Sequence, residues 1–410
     1  MRRKAKTKVR ILKPPVEGAQ LRVLTISVTG AMGGAERSYI EVLRALPRSR
    51  VLPIACVPPD SELERQCIHA EIPVSAVHLR RFHRTTNPFV LAGQVKALYQ
   101  GSRTIVEVCK KLKIDLLHAN TNSAAFVAWE VARVTKLPFV WHCRDLVPMH
   151  GFAKILSGAA AAVVAISHAV EEHLLSEGVA REKLHRIENG IDLLRIPDEE
   201  QREAVRTRVR AMLKLDVNRP VVLCVGSYVP WKRLELFLDT LARLRRQIPD
   251  VMGLLVGSDL VSTNHEYGEA LMDHAESLGL DPASLRFLGE QDDVPDLMAA
   301  SDVLVSCSEN EPFGRVLAEA GAAGVPVVST HSGGKAEIVE DQVTGLLAAQ
   351  GDAEALAKAC ARLLTDPKLQ KKLGDAARER VEKMFDVHRT AEEVTQLFET
   401  ITGRREASHV

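Results

Sequence analysis

Short apolar runs recur along the whole chain, and amphipathic or charged stretches of helical length separate them. In the first half the pattern predicts strands at residues 21–28, 51–57, 114–118, 139–142 and 162–166. In the second half it predicts strands at 220–225, 251–257, 286–289, 303–305 and from Val325 onward. Nearly continuous apolar runs are typical of parallel strands that are buried on both faces. The alternation of strand and helix therefore predicts an α/β fold with ligands at the carboxyl ends of the strands.

Helical periodicity and its stop signals place several helices between these strands. Ser167 is the N-cap of a predicted helix, and the turn signal Asn189-Gly190 ends the first half of the chain. Further helices are predicted at 197–215, 234–246, 353–373 and 375–401. We interpret the charged helix 197–215 as a linker into a second domain. A chain of 410 residues is long enough for about two or three domains.

Composition excludes several classes of protein. An apolar content of 46% with 26% charged residues is typical of a globular protein, and an aromatic content of 4% argues against a stacking platform for nucleic acid. The seven cysteines form no C-x-x-C pair, which fits a reducing compartment without zinc or disulfides. No apolar run approaches ~20 residues, and Pro14 and Pro15 follow the basic N-terminus where a signal peptide would be apolar. We therefore expect a cytoplasmic protein.

Charge is divided unevenly between the two halves. Residues 1–195 contain 29 Lys and Arg against 17 Asp and Glu, whereas residues 196–410 contain 25 against 36. The basic residues of 1–20 form either a solvated tail or a segment attracted to an anionic membrane surface at the inner face of the membrane. Residues 79–84 and Lys110-Lys111 add positive charge, either toward a membrane or an acidic acceptor or simply as solvated loops. No nucleic-acid module follows, so nucleic acid is not an expected partner.

The stretch 306–347 carries the most specific chemistry. After the strand at 303–305, a loop contains Glu311, and Gly314 precedes a predicted helix from Arg315 to Ala323 that contains Glu319. The helix start at 313–316 lies between the two carboxylates, and its N–H groups and dipole suit a phosphate. A hydroxyl-rich ligand with a central phosphate, such as a nucleotide-sugar, would use all three features. The alternative is that both glutamates are solvated charges.

Two further groups of residues lie at predicted strand ends. A glycine-rich turn containing Gly33 and Gly34 connects the first strand to a helix, without the G-x-G-x-x-G pattern of dinucleotide sites. It is either a phosphate-approach loop or a tight turn that needs glycine for backbone reasons. His118 ends one strand, and His142 ends another, with Arg144 just behind it. Either histidine is a core residue or a member of a site at that edge.

The sequence from Glu311 to Glu319, EPFGRVLAE, and the following GVPVV resemble the donor-site signature of retaining glycosyltransferases of family 4. The resemblance implies the GT-B fold, with two Rossmann-like doubly wound domains facing across a cleft and a last helix that crosses back to the first domain. The expected division is a basic tail at 1–20, an acceptor domain at 21–195, a donor domain at 196–385 and the returning helix at 386–410. The resemblance also implies that Glu311 contacts the donor sugar and that Glu319 bonds the ribose.

The resemblance extends to other positions. Gly33-Gly34 is similar to the first glycine loop of the family, which faces the donor diphosphate and the acceptor. Lys232 matches a diphosphate-binding lysine, but Ser227 stands where the family commonly has arginine, and Arg233, Arg315 or Lys335 are candidates to replace that cation. The resemblance implies catalytic roles for Glu311, His142 and Lys232, and acceptor binding by His118 and Arg144. Expected donor-binding residues are Gly33, Gly34, Ser227, Arg233, Arg286, Leu288, Phe313, Gly314, Arg315 and Glu319.

The resemblance implies a retaining hexosyltransferase that uses a UDP- or GDP-sugar and a glycan or lipid-linked acceptor. The chain has no D-x-D motif, so we expect no metal cofactor, with positive charge and a helix dipole stabilising the leaving diphosphate. Glu311 would position sugar hydroxyls, although the sequence leaves a nucleophilic role open. Two alternatives remain at this point: a GT-B epimerase or phosphorylase, and a catalytically silent nucleotide-sugar-binding protein.

Overall fold

The computed structural model describes residues 9–10, 20–79, 85–258 and 265–404. Most of the predicted basic tail at 1–20 and residues 80–84 of the predicted basic segment 79–84 lie outside the described residues. The chain divides into two compact units. Unit 1 comprises Met1–Gly190 and Val387–Val410, and unit 2 comprises Ile191–Asp386.

Unit 1 is built on a sheet in which seven parallel strands are joined by one short antiparallel edge strand, β1. The strands are β1 Val9–Arg10, β2 Leu21–Ile26, β3 Val51–Val57, β4 Val74–Ala76, β5 Leu116–Ala119, β6 Phe139–Cys143, β7 Ala162–Ala165 and β8 Leu184–Arg186. Their order in the sheet is β1-β4-β3-β2-β5-β6-β7-β8. The helices between them are α1 Gly34–Ala45, α2 Glu62–His69, α3 Pro88–Leu112, α4 Asn122–Thr135, α5 Phe152–Ala159 and α6 His168–Ser176.

Unit 2 has a second parallel sheet with the order β11-β10-β9-β12-β13-β14. The strands are β9 Val221–Val225, β10 Met252–Val256, β11 Leu285–Gly289, β12 Val303–Ser306, β13 Val327–Thr330 and β14 Gly345–Ala348. The helices are α7 Glu199–Met212, α8 Leu234–Leu244, α9 His265–Ser277, α10 Val294–Ala299, α11 Arg315–Ala322, α12 Lys335–Ile338, α13 Ala353–Thr365 and α14 Pro367–Met384. Both sheets are doubly wound, as the apolar runs predict. The predicted α/β class with two Rossmann-like sheets is thus confirmed.

The last helix, α15 (Val387–Thr402), belongs to unit 1 and packs against α1. Phe398 on its inner face is buried in the core of that unit. Arg50, just before β3, donates to Glu392 at 2.8 and 2.9 Å and to Glu399 at 2.5 and 2.7 Å. A guanidinium that engages two carboxylates at once is a strong, geometrically specific contact, and it fixes α15 on the unit.

Some expectations about helices are wrong. The predicted helix 353–373 is two helices, because Pro367 cannot continue α13 and Asp366 caps the first turn of α14 by accepting from the amides of Lys368 and Leu369. The predicted linker 197–215 is α7, an integral helix of unit 2. Its Arg206 and Arg210 donate to the Asp302 carboxylate at 2.8 and 2.9 Å.

None of the helices within the described residues is both long and apolar enough to cross a membrane. All seven cysteines are buried and unpaired.

Candidate active site

The carboxyl ends of two neighbouring strands in unit 2 bring Lys232 and Glu311 together. Strands β9 and β12 pair in the sheet, and the loops that leave them are joined by a bond of 2.8 Å from the Glu309 amide to the Trp231 carbonyl. Lys232 Nζ donates to Glu311 Oε2 at 2.7 Å. Both side chains are largely buried, so the pair is a desolvated ion pair at the edge where doubly wound sheets bind ligands.

Lys232 lies in a 3₁₀ turn, Pro230–Lys232, and not in the first turn of α8. Its ammonium sits 4.2 Å from the centre of the Trp231 ring, which is within cation–π range. Its stem runs beside Gly226, where an added Cβ would be 3.4 Å from Lys232 Cδ. The turn, the aromatic ring and the glycine therefore fix where the cation points.

The Glu311 loop is held from two sides. Ser308 Oγ donates to Glu311 Oε2 at 3.0 Å, so the carboxylate oxygen that binds Lys232 has a second donor. The Gly334 amide donates to the Glu311 carbonyl at 2.8 Å. A Cβ at Gly333 would lie 2.3 Å from that carbonyl oxygen, and its φ of +54° also favours glycine. Gly333 and Gly334 thus allow their backbone to approach that of Glu311 closely enough for a hydrogen bond, which fixes the loop.

Lys335 is fully buried beneath this loop. Its Nζ donates to the Ser308 carbonyl at 2.5 Å and to Thr330 Oγ1 at 2.7 Å. Burial lowers the pKa of Lys335 to about 8, and the nearby Glu311 carboxylate partly opposes that shift. Lys335 was one of three candidates for the missing diphosphate cation, and the structure places it under the loop as a support.

The other residues of the predicted donor site lie around these loops. Gly314, with φ of +105°, begins α11, and Arg315 Nη2 donates to Glu319 Oε1 one turn later at 2.8 Å. Phe313 is buried in the core with its ring 5.5 Å from that of Phe385. The buried ring of Phe313 therefore anchors the start of α11 and the preceding loop to the core of unit 2.

Four donor-site predictions concern β11 and the segment that follows β9. Arg233, in the left-handed region with φ of 51°, pairs with the carboxylates of Glu235 and Glu309. Arg286 donates to the carbonyl oxygen of Leu213 at the end of α7, so its guanidinium already has a structural partner. Ser227, two residues after β9, and Leu288, near the end of β11, are both half-buried.

In unit 1 the glycine-rich turn leads directly into α1. Gly33 is its N-cap residue and has φ of −130°, an extended conformation that any residue adopts, so backbone strain does not explain this glycine. Its amide donates to Glu36 Oε2 at 3.1 Å, and an added Cβ would lie 3.1 Å from the same oxygen. Gly34, the first residue of α1, is exposed.

The two histidines at strand ends contact each other. His118 Nε2 lies 3.1 Å from His142 Nδ1, and both rings are buried. Burial, with a smaller contribution from the Arg144 cation, lowers the pKa of His118 to about 3 and that of His142 well below its usual range. Both imidazoles are therefore neutral at pH 7, and one ring donates to the other.

Arg144 joins three elements of unit 1. Its Nε donates to Asn120 Oδ1 and its Nη1 to Asn189 Oδ1, each at 2.7 Å. Asn189 Nδ2 in turn donates to Ser38 Oγ on α1 at 2.9 Å. Arg144, Asn120, Asn189 and Ser38 are all buried. The sequence pattern does not identify Asn120 or Ser38 and marks Asn189 only as a turn residue, although Asn120 directly follows the strand that ends at Ala119.

The predicted residues thus form two groups. His118, His142, Arg144 and the glycine-rich turn lie in unit 1, and the Lys232–Glu311 pair with its loops lies in unit 2. Within the described parts of the chain, no group of three or more His, Cys, Asp or Glu side chains could hold a metal ion.

Two family models match the chain, one in each half. The model described as Glycosyltransferase Family 4 matches residues 32–195, and that described as Glycosyl transferases group 1 matches residues 205–380. The first match covers the glycine-rich turn and both histidines, and the second covers Lys232, Glu311 and Glu319.

Similar proteins include D-inositol 3-phosphate glycosyltransferases from two organisms. The Saccharomonospora viridis protein is 32% identical over 53% of this chain and 50% of its own length. This chain therefore spans about half the length of that relative. The Salinispora tropica protein is 28% identical over 92% of this chain and 85% of its own length. Among solved structures, Anabaena Alr3699/HepE in complex with UDP and glucose aligns with a TM-score of 0.80 and 26% identity, over 93% of this chain and 100% of that chain.

Proposed function

The chain belongs to glycosyltransferase family 4 and has the GT-B fold, and from this we propose that it transfers a hexose from a nucleotide-sugar to a glycan or lipid-linked acceptor. The observation that carries the proposal is the Lys232–Glu311 pair at the carboxyl edge of the unit 2 sheet. One cation suits a diphosphate and one fixed carboxylate suits sugar hydroxyls, and the two side chains are already joined. The Anabaena relative, solved with UDP and glucose, supports a UDP-sugar donor, and a GDP-mannose-dependent mannosyltransferase that is 32% identical over 55% of this chain supports a GDP-sugar, so both are candidate donors.

We assign stabilisation of the leaving diphosphate to Lys232 and the first turn of α11. The first amides of a helix have no intrahelical acceptor, and they carry the positive end of its dipole. Together with one buried ammonium they would stabilise charge that develops as the glycosidic bond to phosphate breaks. Arg315 is bound to Glu319, which leaves that carboxylate oriented toward a ribose hydroxyl in our assignment. Transfer by this route needs no divalent metal.

Glu311 is assigned to the donor sugar. Its Oε2 already accepts bonds from Lys232 and Ser308, and its remaining oxygen is the one we assign to hydroxyl groups of the hexose. We propose that it positions the sugar and that the acceptor attacks on the face from which the diphosphate leaves, with retention of configuration.

The acceptor is assigned to unit 1. The neutral His118–His142 pair and the buried Arg144 network form a rigid polar layer at the carboxyl ends of β5 and β6. A neutral imidazole can hydrogen-bond a hydroxyl without carrying charge into the site. The basic character of residues 1–195 favours an anionic acceptor, such as a lipid-diphosphate-linked oligosaccharide. The corresponding location is the cytoplasm at the inner face of a membrane, in polysaccharide or glycolipid assembly.

The test is nucleotide release from a panel of UDP-, GDP- and ADP-sugars, with and without EDTA. Wild type should release nucleotide from one donor regardless of EDTA, and Glu311→Ala and Lys232→Ala should each lose about 10²–10³-fold in rate. The matched control is Glu354→Ala and Lys358→Ala, which break an exposed ion pair of 3.5 Å on α13. Loss of rate in the control pair as well would contradict the assignment.

The same panel separates the alternatives. Tight donor binding without release, even with lipid-linked acceptors present, would establish a silent nucleotide-sugar-binding protein. Conversion of the sugar while it stays attached to the nucleotide would establish an epimerase, and a requirement for inorganic phosphate would establish a phosphorylase.

A further inference from the structure

The first half of α3 carries an unusual number of exposed apolar side chains. Phe89 is 86% exposed, and Leu91, Val95 and Tyr99 are each about half exposed. From Gly101 onward the same helix is packed into unit 1 through Ile105, Val106, Val108, Cys109 and Leu112. A single 25-residue helix therefore changes from a core element to an exposed apolar one along its length.

Three of these side chains lie on one face of α3. Leu91, Val95 and Tyr99 are spaced i, i+4, i+8, which places them in one stripe along a helix. Lys96 and Arg103 lie at the border of this stripe, and the Arg103 guanidinium is 5.6 Å from the centre of the Tyr99 ring. An apolar stripe bordered by long basic side chains is the pattern of a helix at a membrane interface.

A second apolar element emerges at the same edge of unit 1. Phe152 and Ile155, at the start of α5, are each 52% exposed. Helix α3 follows β4 and α5 follows β6. In a parallel sheet the carboxyl ends of all strands lie at the same edge, so both helices begin there. That edge also carries His142 and Arg144, which end or follow β6. We call Leu91, Val95, Tyr99, Phe152 and Ile155 the apolar surface.

The charged residues around the apolar surface are basic, and this indicates an anionic partner. The sequence has no Asp or Glu between Glu71 and Glu107. In a symmetric contact between two copies, the same patch faces itself, so Lys96 and Arg103 would meet basic residues without carboxylates of this segment to pair with. An anionic lipid headgroup supplies the missing negative charge.

We propose that the apolar surface docks unit 1 on an anionic lipid bilayer, with the stripe of α3 in the headgroup region and Lys96 and Arg103 on lipid phosphates. The apolar side chains would enter the interface, and each basic residue would add electrostatic attraction. The inference rests on the proposed function in one respect, since a lipid-linked acceptor would then be presented at the edge that carries His142 and Arg144.

Vesicle flotation of the full chain tests the proposal. Wild type should float with vesicles of equimolar phosphatidylcholine and phosphatidylglycerol and stay behind with phosphatidylcholine alone. The triple variant Leu91→Ser, Val95→Ser, Tyr99→Ser and the double variant Lys96→Glu, Arg103→Glu should each reduce the floated fraction about tenfold. The control is Leu194→Ser with Met272→Ser, which removes two exposed apolar side chains of unit 2 and should float as wild type does.

Two results would overturn the proposal. One is flotation of the triple variant equal to that of wild type. The other is a wild-type dimer in solution that the triple variant dissociates, since the surface would then bind a second copy. Nucleotide release from the preferred donor, measured without vesicles, should be the same in wild type and the triple variant. Absence of release in wild type would defeat the proposed function and leave the docking result standing.

Discussion

Lys335 Nζ donates to the carbonyl oxygen of Ser308 at 2.5 Å, and through this bond a fully buried ammonium supports the loop that presents Glu311. Ser308 links the two, because its hydroxyl donates to Glu311 at 3.0 Å. The carboxylate assigned to the donor sugar therefore accepts hydrogen bonds from Lys232 and from Ser308. The backbone of Ser308 is held in turn by Lys335. Such supporting contacts are what fix a functional side chain within the narrow range that catalysis needs.

Replacing Lys335 by Met should change how stability depends on pH. Burial lowers the pKa of Lys335 to about 8 from 10.5. Between these pH values Lys335 is protonated in the unfolded chain but not in the folded chain. The free energy of unfolding of wild type therefore increases as pH rises. From pH 7.5 to 9.5 the gain from this group is about 2 kcal/mol.

Urea unfolding of wild type and Lys335→Met at both pH values measures this difference. Parallel pH profiles for the two proteins would contradict it. Besides the effect of burial, four charged or titratable groups contribute to the pKa of Lys335: Glu311, Cys307, Lys232 and Glu309. The exposed Lys358→Met serves as the control, which should keep the wild-type profile.

Lys232 and Glu311 should be strongly coupled in stability. Removing either partner leaves the other charge largely buried without its counter-ion, and each of Lys232→Met and Glu311→Gln should lower the free energy of unfolding by about 1–3 kcal/mol. The double variant should lose less than the sum of the two. Denaturant unfolding of the four proteins gives the coupling energy. Additive losses would mean that the contact contributes nothing.

Ser308→Ala should lower activity far more than stability. The substitution removes one hydrogen bond to Glu311 but keeps the backbone carbonyl that binds Lys335, so the rate of nucleotide release should fall about tenfold. Ser277→Ala, which removes an exposed hydroxyl bonded to the His274 carbonyl, is the control. An unchanged rate in Ser308→Ala would show that Lys232 alone is sufficient to hold the carboxylate.

Much of the fold follows from local pattern. The buried strands are apolar on both faces, so short apolar runs such as Val221–Val225 and Ala162–Ala165 mark strands to within a few residues. Strands β4 and β8 are three residues long and have the sequences VSA and LHR, which are too short and too polar for periodicity to identify. The charged helix α7 resembles a solvated linker in sequence because its partner, Asp302, lies about ninety residues away.

The candidate site was partly predictable, because some of its signals are local in the sequence. Lys232 and Glu311 each lie in a segment that follows a predicted strand and contains a glycine, Gly226 and Gly314 respectively, and these are local signals. Their contact depends on β9 and β12 being neighbours, which the order of strands in the sequence does not specify. Arg286 shows the converse, because the family resemblance assigns this residue to donor binding, yet its guanidinium donates to the Leu213 carbonyl at the end of α7.

The buried histidine pair should make the protein sensitive to mild acid. Burial, with help from the Arg144 cation, lowers the pKa of His118 to about 3, whereas the unfolded residue titrates near 6.5. Between these values the unfolded chain binds a proton that the folded chain does not, so stability is lost as pH falls below 6.5. His118 alone should reduce the free energy of unfolding by about 2 kcal/mol between pH 7 and pH 5.

His118→Gln should flatten this part of the pH profile, because glutamine has no proton to gain, and the ring contacts with His142 and Phe398 would be lost at both pH values alike. Urea unfolding at pH 7 and pH 5 compares the slopes. His69→Gln is the control, since that ring is exposed at the end of α2, and its profile should resemble that of wild type. An equally steep loss in wild type and His118→Gln would place the acid-sensitive group elsewhere and would remove the reason to regard the imidazole pair as neutral.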